Sequence, residues 1–285
     1  MPETAQLGQV QFSFDLPKPY TWKKKDLPFL HPVGEAELHV SCRISWVNEL
    51  KEPAGSPVFH TDSITVWTEG QAEVRSYRAL FCLGHPLYAI SRFEGNTVSV
   101  SFLENYSIWN HPNMLLWNII HLENHLLRAQ ALILHSCYIE YRGEAILFTA
   151  PSGTGKTTQA NIWTKVYGSL IINGDKSILQ QTPSGWQACG FPMSGSSDDC
   201  QNLSFSIRAV VIVRQSLQNH IEELPLWKKV SLLYSECTVN PWNPQRMNYS
   251  MDLLTHLAQQ LPVFILHCNM QDQAAYLLHH YLFKS

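Results

Sequence analysis

Residues Ala150 to Thr157 read A-P-S-G-T-G-K-T, after the apolar run Ala145-Ile146-Leu147-Phe148 and before the helix-compatible stretch Thr158 to Trp163. This order predicts strand, loop and helix, with the loop as an anion cradle. Gly153 and Gly155 let the backbone turn its N–H groups inward, and the N-terminus of the next helix adds positive potential. A nucleoside triphosphate is the expected ligand. Ser152, Gly153, Thr154, Gly155, Lys156, Thr157 and Thr158 are the expected binding residues, with Lys156 reaching the β- and γ-phosphates and the Thr157 hydroxyl on Mg²⁺. The pattern usually opens on glycine. Ala150 stands there, so that position must have a φ that alanine adopts.

The 285 residues suffice for one large or two modest domains, and 45% hydrophobic content supplies a core. A net charge of −3 with 15% charged residues leaves no basic stripe. The run Lys23-Lys24-Lys25, beside Tyr20 and Trp22, reads as a solvated face, so nucleic acid is not an expected partner. Neither a signal-length apolar stretch in Met1 to Asp15 nor a run of ~18 apolar residues is found, so no membrane partner and a cytoplasmic location are expected. Seven scattered cysteines, never spaced C-x-x-C, predict reduced thiols rather than disulfides or a zinc site.

Period-two alternation in Leu38 to Trp46, Ser63 to Trp67 and Val98 to Phe102 predicts an antiparallel sheet with one wet face. Pro112 to Gln130 changes to helical spacing, through Leu115, Ile119, Leu122 and Leu126. Beyond it, Ala131 to Glu140 and Ala145 to Thr149 are expected as a hairpin turning at Arg142-Gly143. Ser169 to Ile172, Arg208 to Val213 and Pro262 to Leu266 read as strands, Met247 to Gln260 and Gln271 to Phe283 as helices. The expected fold class is α+β (mixed α/β), divided near residue 110: a strand-rich domain 1–110, suited to substrate docking, and a catalytic domain 111–285.

Phosphoryl transfer needs more than a cradle: a carboxylate near the γ-phosphate and cations for developing charge. Asp175, after the strand Leu170-Ile171-Ile172, is the expected carboxylate, as Mg²⁺ ligand, general base, or both; the bland alternative is a turn residue of Asn173-Gly174-Asp175. His135, alone among Leu132, Ile133 and Leu134, reads by itself as a core histidine. Arg214, closing Val210 to Val213, is either solvated or a neutraliser of transferred charge. Gly190 to Ser197 is expected as a mobile acceptor-side loop, and Asp198 and Asp199 as exposed carboxylates rather than a metal pair.

A strand carrying His, a hairpin, a strand, A-P-S-G-T-G-K-T, a helix and then I-I-N-G-D-K resembles the catalytic domain of HPr kinase/phosphorylase and its relatives. That domain's phosphate loop sits on a mixed sheet shared with phosphoenolpyruvate carboxykinases. The likeness is close over about residues 131 to 180 and looser beyond. It implies that His135, Lys156, Thr157 and Asp175 together form a site. The family often has two consecutive Asp residues where this chain reads Gly174-Asp175, leaving one carboxylate for both base and metal duties. N-G-D-K, G-F-P-x-S-G-S-S and V-x-V-R-Q resemble a branch whose members phosphorylate peptide hydroxyls or a small molecule such as free serine.

The expectation is an ATP- and Mg²⁺-dependent kinase with Asp175, His135, Lys156 and Arg214 as catalytic residues. Its acceptor is a Ser or Thr hydroxyl of a peptide or protein, or alternatively of a small molecule. A nucleotide-gated binding module is the contrasting reading. Self-association is left open.

Overall fold

The computed structural model describes residues 3–16, 22, 24–32, 34–80, 84, 86–104, 112–195 and 199–284. Tyr20 and Lys23 of the basic run, Cys82, and Ser196, Ser197 and Asp198 lie outside the described residues. The chain forms two compact units, Met1–His125 and Leu126–Ser285.

The first unit holds strands β1 (Glu3–Leu7), β2 (Val10–Asp15), β3 (Leu38–Val47), β4 (Phe59–His60), β5 (Ile64–Glu69), β6 (Ala72–Arg78), β7 (Leu87–Glu94) and β8 (Thr97–Leu103). They form one sheet in the order β1-β2-β3-β8-β7-β6-β5-β4. It is mixed, not antiparallel throughout, because β2 runs parallel to β3 and β3 parallel to β8. The meander β4 to β7 is the long connection that a parallel β3–β8 pair requires. The expected one-sided burial is clearest on β2 and β3, where buried and more open residues alternate along the strand.

The helical stretch after residue 111 is two helices, α1 (Pro112–Ile119) and α2 (Leu122–Arg128), rather than one. His121 interrupts it with φ +56°, where α-helical pairing cannot continue, and its Nε2 lies 2.6 Å from Ser91 Oγ. The two compact units divide after His125. Packing gives the reason: the Trp117 indole donates to Asp26 Oδ1 at 3.2 Å and stands nearly perpendicular to the rings of Phe12 and Phe14. Arg75, buried on β6, pairs at 2.6 Å with both Glu73 and Glu123.

The second unit holds β9 (Ala131–Tyr141), β10 (Glu144–Thr149), α3 (Lys156–Tyr167), β11 (Leu170–Asn173), β12 (Lys176–Thr182), β13 (Gly185–Cys189), β14 (Ser204–Gln215), β15 (His220–Glu223), α4 (Leu226–Glu236), α5 (Pro244–Gln260), β16 (Val263–Cys268) and α6 (Asp272–Phe283). The β9–β10 hairpin forms as its turn chemistry predicts, with Arg142 and Gly143 both at positive φ. The sheet runs β10-β9-β12-β13-β14-β16-β15, and β10 also pairs in parallel with β14, so five strands make a closed circuit.

Alternation along β10, β14 and β16 feeds two cores. Leu147, Val210, Ile212, Val263 and Ile265 join the residues of α4 and α5 on one face. Ile146, Phe148, Val211, Val213, Phe264 and Leu266 join those of α3 and α6 on the other. Covering on both faces explains why these strands read as unbroken apolar runs. The fold is thus α+β with two mixed sheets. No helix among the described residues is long and apolar enough to cross a membrane. The six described cysteines, Cys42, Cys137, Cys189, Cys200, Cys237 and Cys268, carry free thiols.

Candidate functional site

The chain leaves β10 at Thr149, passes through Ala150 to Gly155 and enters α3 at Lys156. Gly153 (φ +77°) and Gly155 (φ +115°) take left-handed conformations that favour glycine, whereas Ala150 has no positive φ and needs none. A Cβ built on either glycine meets nothing within 4 Å, so backbone conformation rather than space favours glycine there. No side chain caps α3. The loop closes on itself: Thr154 Oγ1 donates to Pro151 O at 2.8 Å, and Lys156 Nζ to Ala150 O at 2.7 Å. Gln215, at the end of β14, donates to Thr154 O at 3.3 Å.

His135 and Asp175 are brought beside the start of this loop by backbone pairing. Thr149 Oγ1 donates to His135 O at 2.8 Å, and Ser136 N donates to Asp175 O at 3.0 Å. The His135 ring then lies between two carboxylates, its Nε2 3.6 Å from Asp175 Oδ1 and its Nδ1 3.2 Å from Glu236 Oε2. A carboxylate only accepts, so Nδ1 is the donor to Glu236, while Nε2 faces the Asp175 carboxylate at 3.6 Å.

Asp175 is held by a turn that another residue makes. Asn173 Oδ1 accepts from the amides of Asp175 (2.8 Å) and Lys176 (2.9 Å), while its amide nitrogen donates to Phe191 O (2.7 Å) and Met193 O (3.0 Å). The turn chemistry of Asn173-Gly174-Asp175 is therefore real and belongs to Asn173. Gly195 stands so close that an added Cβ would lie 3.0 Å from Asp175 Cβ. The facing imidazole, and beyond it Lys176 and Lys156, hold the Asp175 carboxyl below the ordinary carboxylate range against the opposing effect of burial. Burial lowers the Lys156 ammonium, and the negative charges of Glu236 and Asp175 counter it.

Two cavities flank the loop. One, of about 520 Å³, is lined by Ser152, Gly153, Arg214, Gln215 and Glu236 among others. The second, of about 490 Å³, lies against Gly155, Thr158 and Gln159 and reaches Leu217 and Met270. Thr157 is exposed on the first turn of α3.

The family model of the SynChlorMet cassette protein ScmC matches residues 111–278, more than half of the chain. The chain belongs to this family. No curated protein matches it. The span matched by the ScmC model contains the 150–157 loop, His135, Asp175, Arg214 and Glu236, and leaves out the sheet of β1 to β8.

Sequence reasoning had no signal for Glu236, which lies 101 residues from His135. It is the last residue of α4, and the chain beyond it is stitched to β9 by a bridge between Cys237 and Leu134 and by Thr238 N donating to Ile133 O at 2.9 Å. Gly195 and Asn173 were not marked as site residues, though Gly195 lies in the expected acceptor-side loop and Asn173 in the expected Asn173-Gly174-Asp175 turn. Among the described residues no three His, Cys, Asp or Glu side chains converge as a metal cluster.

Proposed function

We propose that this ScmC-family chain is an ATP- and Mg²⁺-dependent phosphotransferase of the HPr kinase type, transferring the γ-phosphate to a Ser or Thr hydroxyl of a peptide or protein. The observation that carries the reading is the convergence on one sheet end of a glycine-bent loop ending in Lys156 with Asp175 and His135. The uncapped loop suits an anion, and the exposed Thr157 hydroxyl and the Asp175 carboxylate are each hard oxygen donors of the kind that would hold Mg²⁺. When bound, the metal neutralises charge on the β- and γ-phosphate oxygens.

The chain's own residues then have separate tasks. Ser152 to Thr158 hold the phosphates through backbone N–H groups and hydroxyls. Lys156 leaves the carbonyls of Ala150 and Pro151 for the γ-phosphate, and Arg214, in the cavity beside Ser152, meets charge as it develops. Asp175 takes the proton of the acceptor hydroxyl as that oxygen bonds to phosphorus and the bond to the ADP leaving group breaks. His135 Nε2 shares the proton. Free thiols and ATP dependence fit work in the cytoplasm.

The family is described by its cassette, so other products encoded in that cassette are the first acceptors to offer. Purified protein with Mg²⁺ and γ-labelled ATP, alone and with those products or an extract of its source, tests the reading. Label on a peptide, lost in Asp175→Asn, is the expected result. Label on a metabolite would assign a small-molecule kinase, and tight ATP binding with no label moved would assign a nucleotide-gated module.

A further inference from the structure

We infer that Lys176 selects the acceptor, favouring a Ser or Thr hydroxyl that has an acidic side chain beside it in the peptide. This rests on the proposed transfer reaction and adds to it the charge of the substrate. Lys176 opens β12 and is the direct cross-strand partner of His135 on β9. The two side chains therefore rise from the same face of the sheet, with Cβ atoms about 5 Å apart. Asn173 Oδ1 fixes the backbone amides of Asp175 and Lys176 together, at 2.8 and 2.9 Å. One buried side chain thus sets the proposed base and this cation side by side.

The ammonium of Lys176 has a fixed place without a counter-ion. Its Nζ lies 5.6 Å from the centre of the Phe191 ring, within the range of a cation–π contact. Phe191 is itself buried, and its carbonyl accepts from Asn173 Nδ2 at 2.7 Å, so the ring is a firm support. Among the described residues Lys176 forms no ion pair and no side-chain hydrogen bond. A partly buried cation in that state leaves its charge for a ligand.

The other two cations of the site are placed differently. Lys156 donates to the carbonyls of Ala150 and Pro151, and Arg214 lines the cavity beside Ser152. Lys176 lines neither of the cavities that flank the loop, which sets it apart from the groups suited to phosphate. The side chains of Asp175 and His135 are 32% and 29% exposed, so an acceptor hydroxyl has access to the carboxylate. The residue next to that hydroxyl then comes within reach of Lys176. A carboxylate there is attracted and an ammonium repelled.

End-blocked peptides with a single Ser flanked by Asp, Asn or Lys, together with free serine, are offered to the full chain with Mg²⁺ and γ-labelled ATP. Expected is a kcat/KM roughly fivefold higher for the Asp peptide than for the Asn peptide and lower again for the Lys peptide, with the difference in KM. Lys176→Met keeps an apolar stem against Phe191 and should bring the three peptides together, whereas Lys176→Glu should reverse their order. The KM for ATP should hold in both variants. Any effect on Asp175 of removing the charge falls on all peptides alike, so the ratio among them reads Lys176 alone. An unchanged preference in Lys176→Met, no preference in the unaltered chain, or a raised KM for ATP would overturn the assignment while transfer itself stands. Label on free serine and on no peptide would overturn an acidic peptide as the source of the carboxylate. ATP bound with no label on any acceptor would overturn the transfer reading and this inference with it.

Discussion

Glu236 Oε2 accepts from His135 Nδ1 at 3.2 Å, and the same imidazole presents Nε2 to Asp175 3.6 Å away. One ring thus couples two carboxylates from distant parts of the chain. Because the bridge of Cys237 to Leu134 fixes the end of α4 on β9, Glu236 is placed by backbone as well as by its side chain.

Under the proposed transfer reaction Glu236 would orient His135. Glu236→Gln should lower the transfer rate roughly tenfold at unchanged KM for ATP, as loss of an outer-shell carboxylate on a histidine does elsewhere. Nitrogen-15 NMR of His135 should show the Nδ1–H tautomer giving way to a mixture. An unchanged tautomer balance would remove this role, whatever becomes of the activity.

Lys156→Ala and Asp175→Asn should separate binding from chemistry. The first should abolish ATP binding and transfer together. The second should keep nucleotide and lose transfer by about 10²-fold or more, the usual contribution of a positioned base. Equilibrium dialysis beside a label-transfer assay distinguishes them, and full turnover by the Asp175 variant would sink its assignment as base.

Gly195 sits at φ +59° with Asp175 against its missing side chain. Gly195→Ala should cost about 1–2 kcal/mol in backbone strain alone and displace the Asp175 carboxylate by contact. Thermal unfolding reads the first effect. A variant with unaltered stability and activity would show that the loop yields freely there.

His121 makes the first unit acid-sensitive. Burial, aided by the Arg75 charge, lowers its pKa from 6.5 to about 4, so the folded unit resists a proton that the unfolded chain accepts. Stability is then complete above pH 6.5 and falls as pH drops toward 4, by about 3 kcal/mol in all. Urea unfolding across that window measures the slope. His121→Asn, which tolerates the positive φ, should flatten it; an equally steep slope in that variant would assign the effect to other groups.

Much of the fold was legible because it is local. Arg142-Gly143 turns the β9–β10 hairpin, glycines at 153 and 155 bend the loop, and apolar runs mark β10, β14 and β16. Each of these follows from φ preferences and burial within a few residues. The helix break at His121 was not legible, since the helical spacing continues through it and the kink is secured by Ser91, thirty residues earlier.

The site divides in the same way. Sequence alone determined the glycine-bent loop with its lysine and hydroxyl and the acidic turn after β11, because each is a short pattern whose backbone chemistry is self-contained. Only the tertiary structure decided that β10 also pairs with β14, that His135 faces Asp175, and that Glu236 and Gly195 complete their surroundings. Those relations join residues 20 to 101 positions apart. They are set by strand register and by the packing of α4, which no local periodicity encodes.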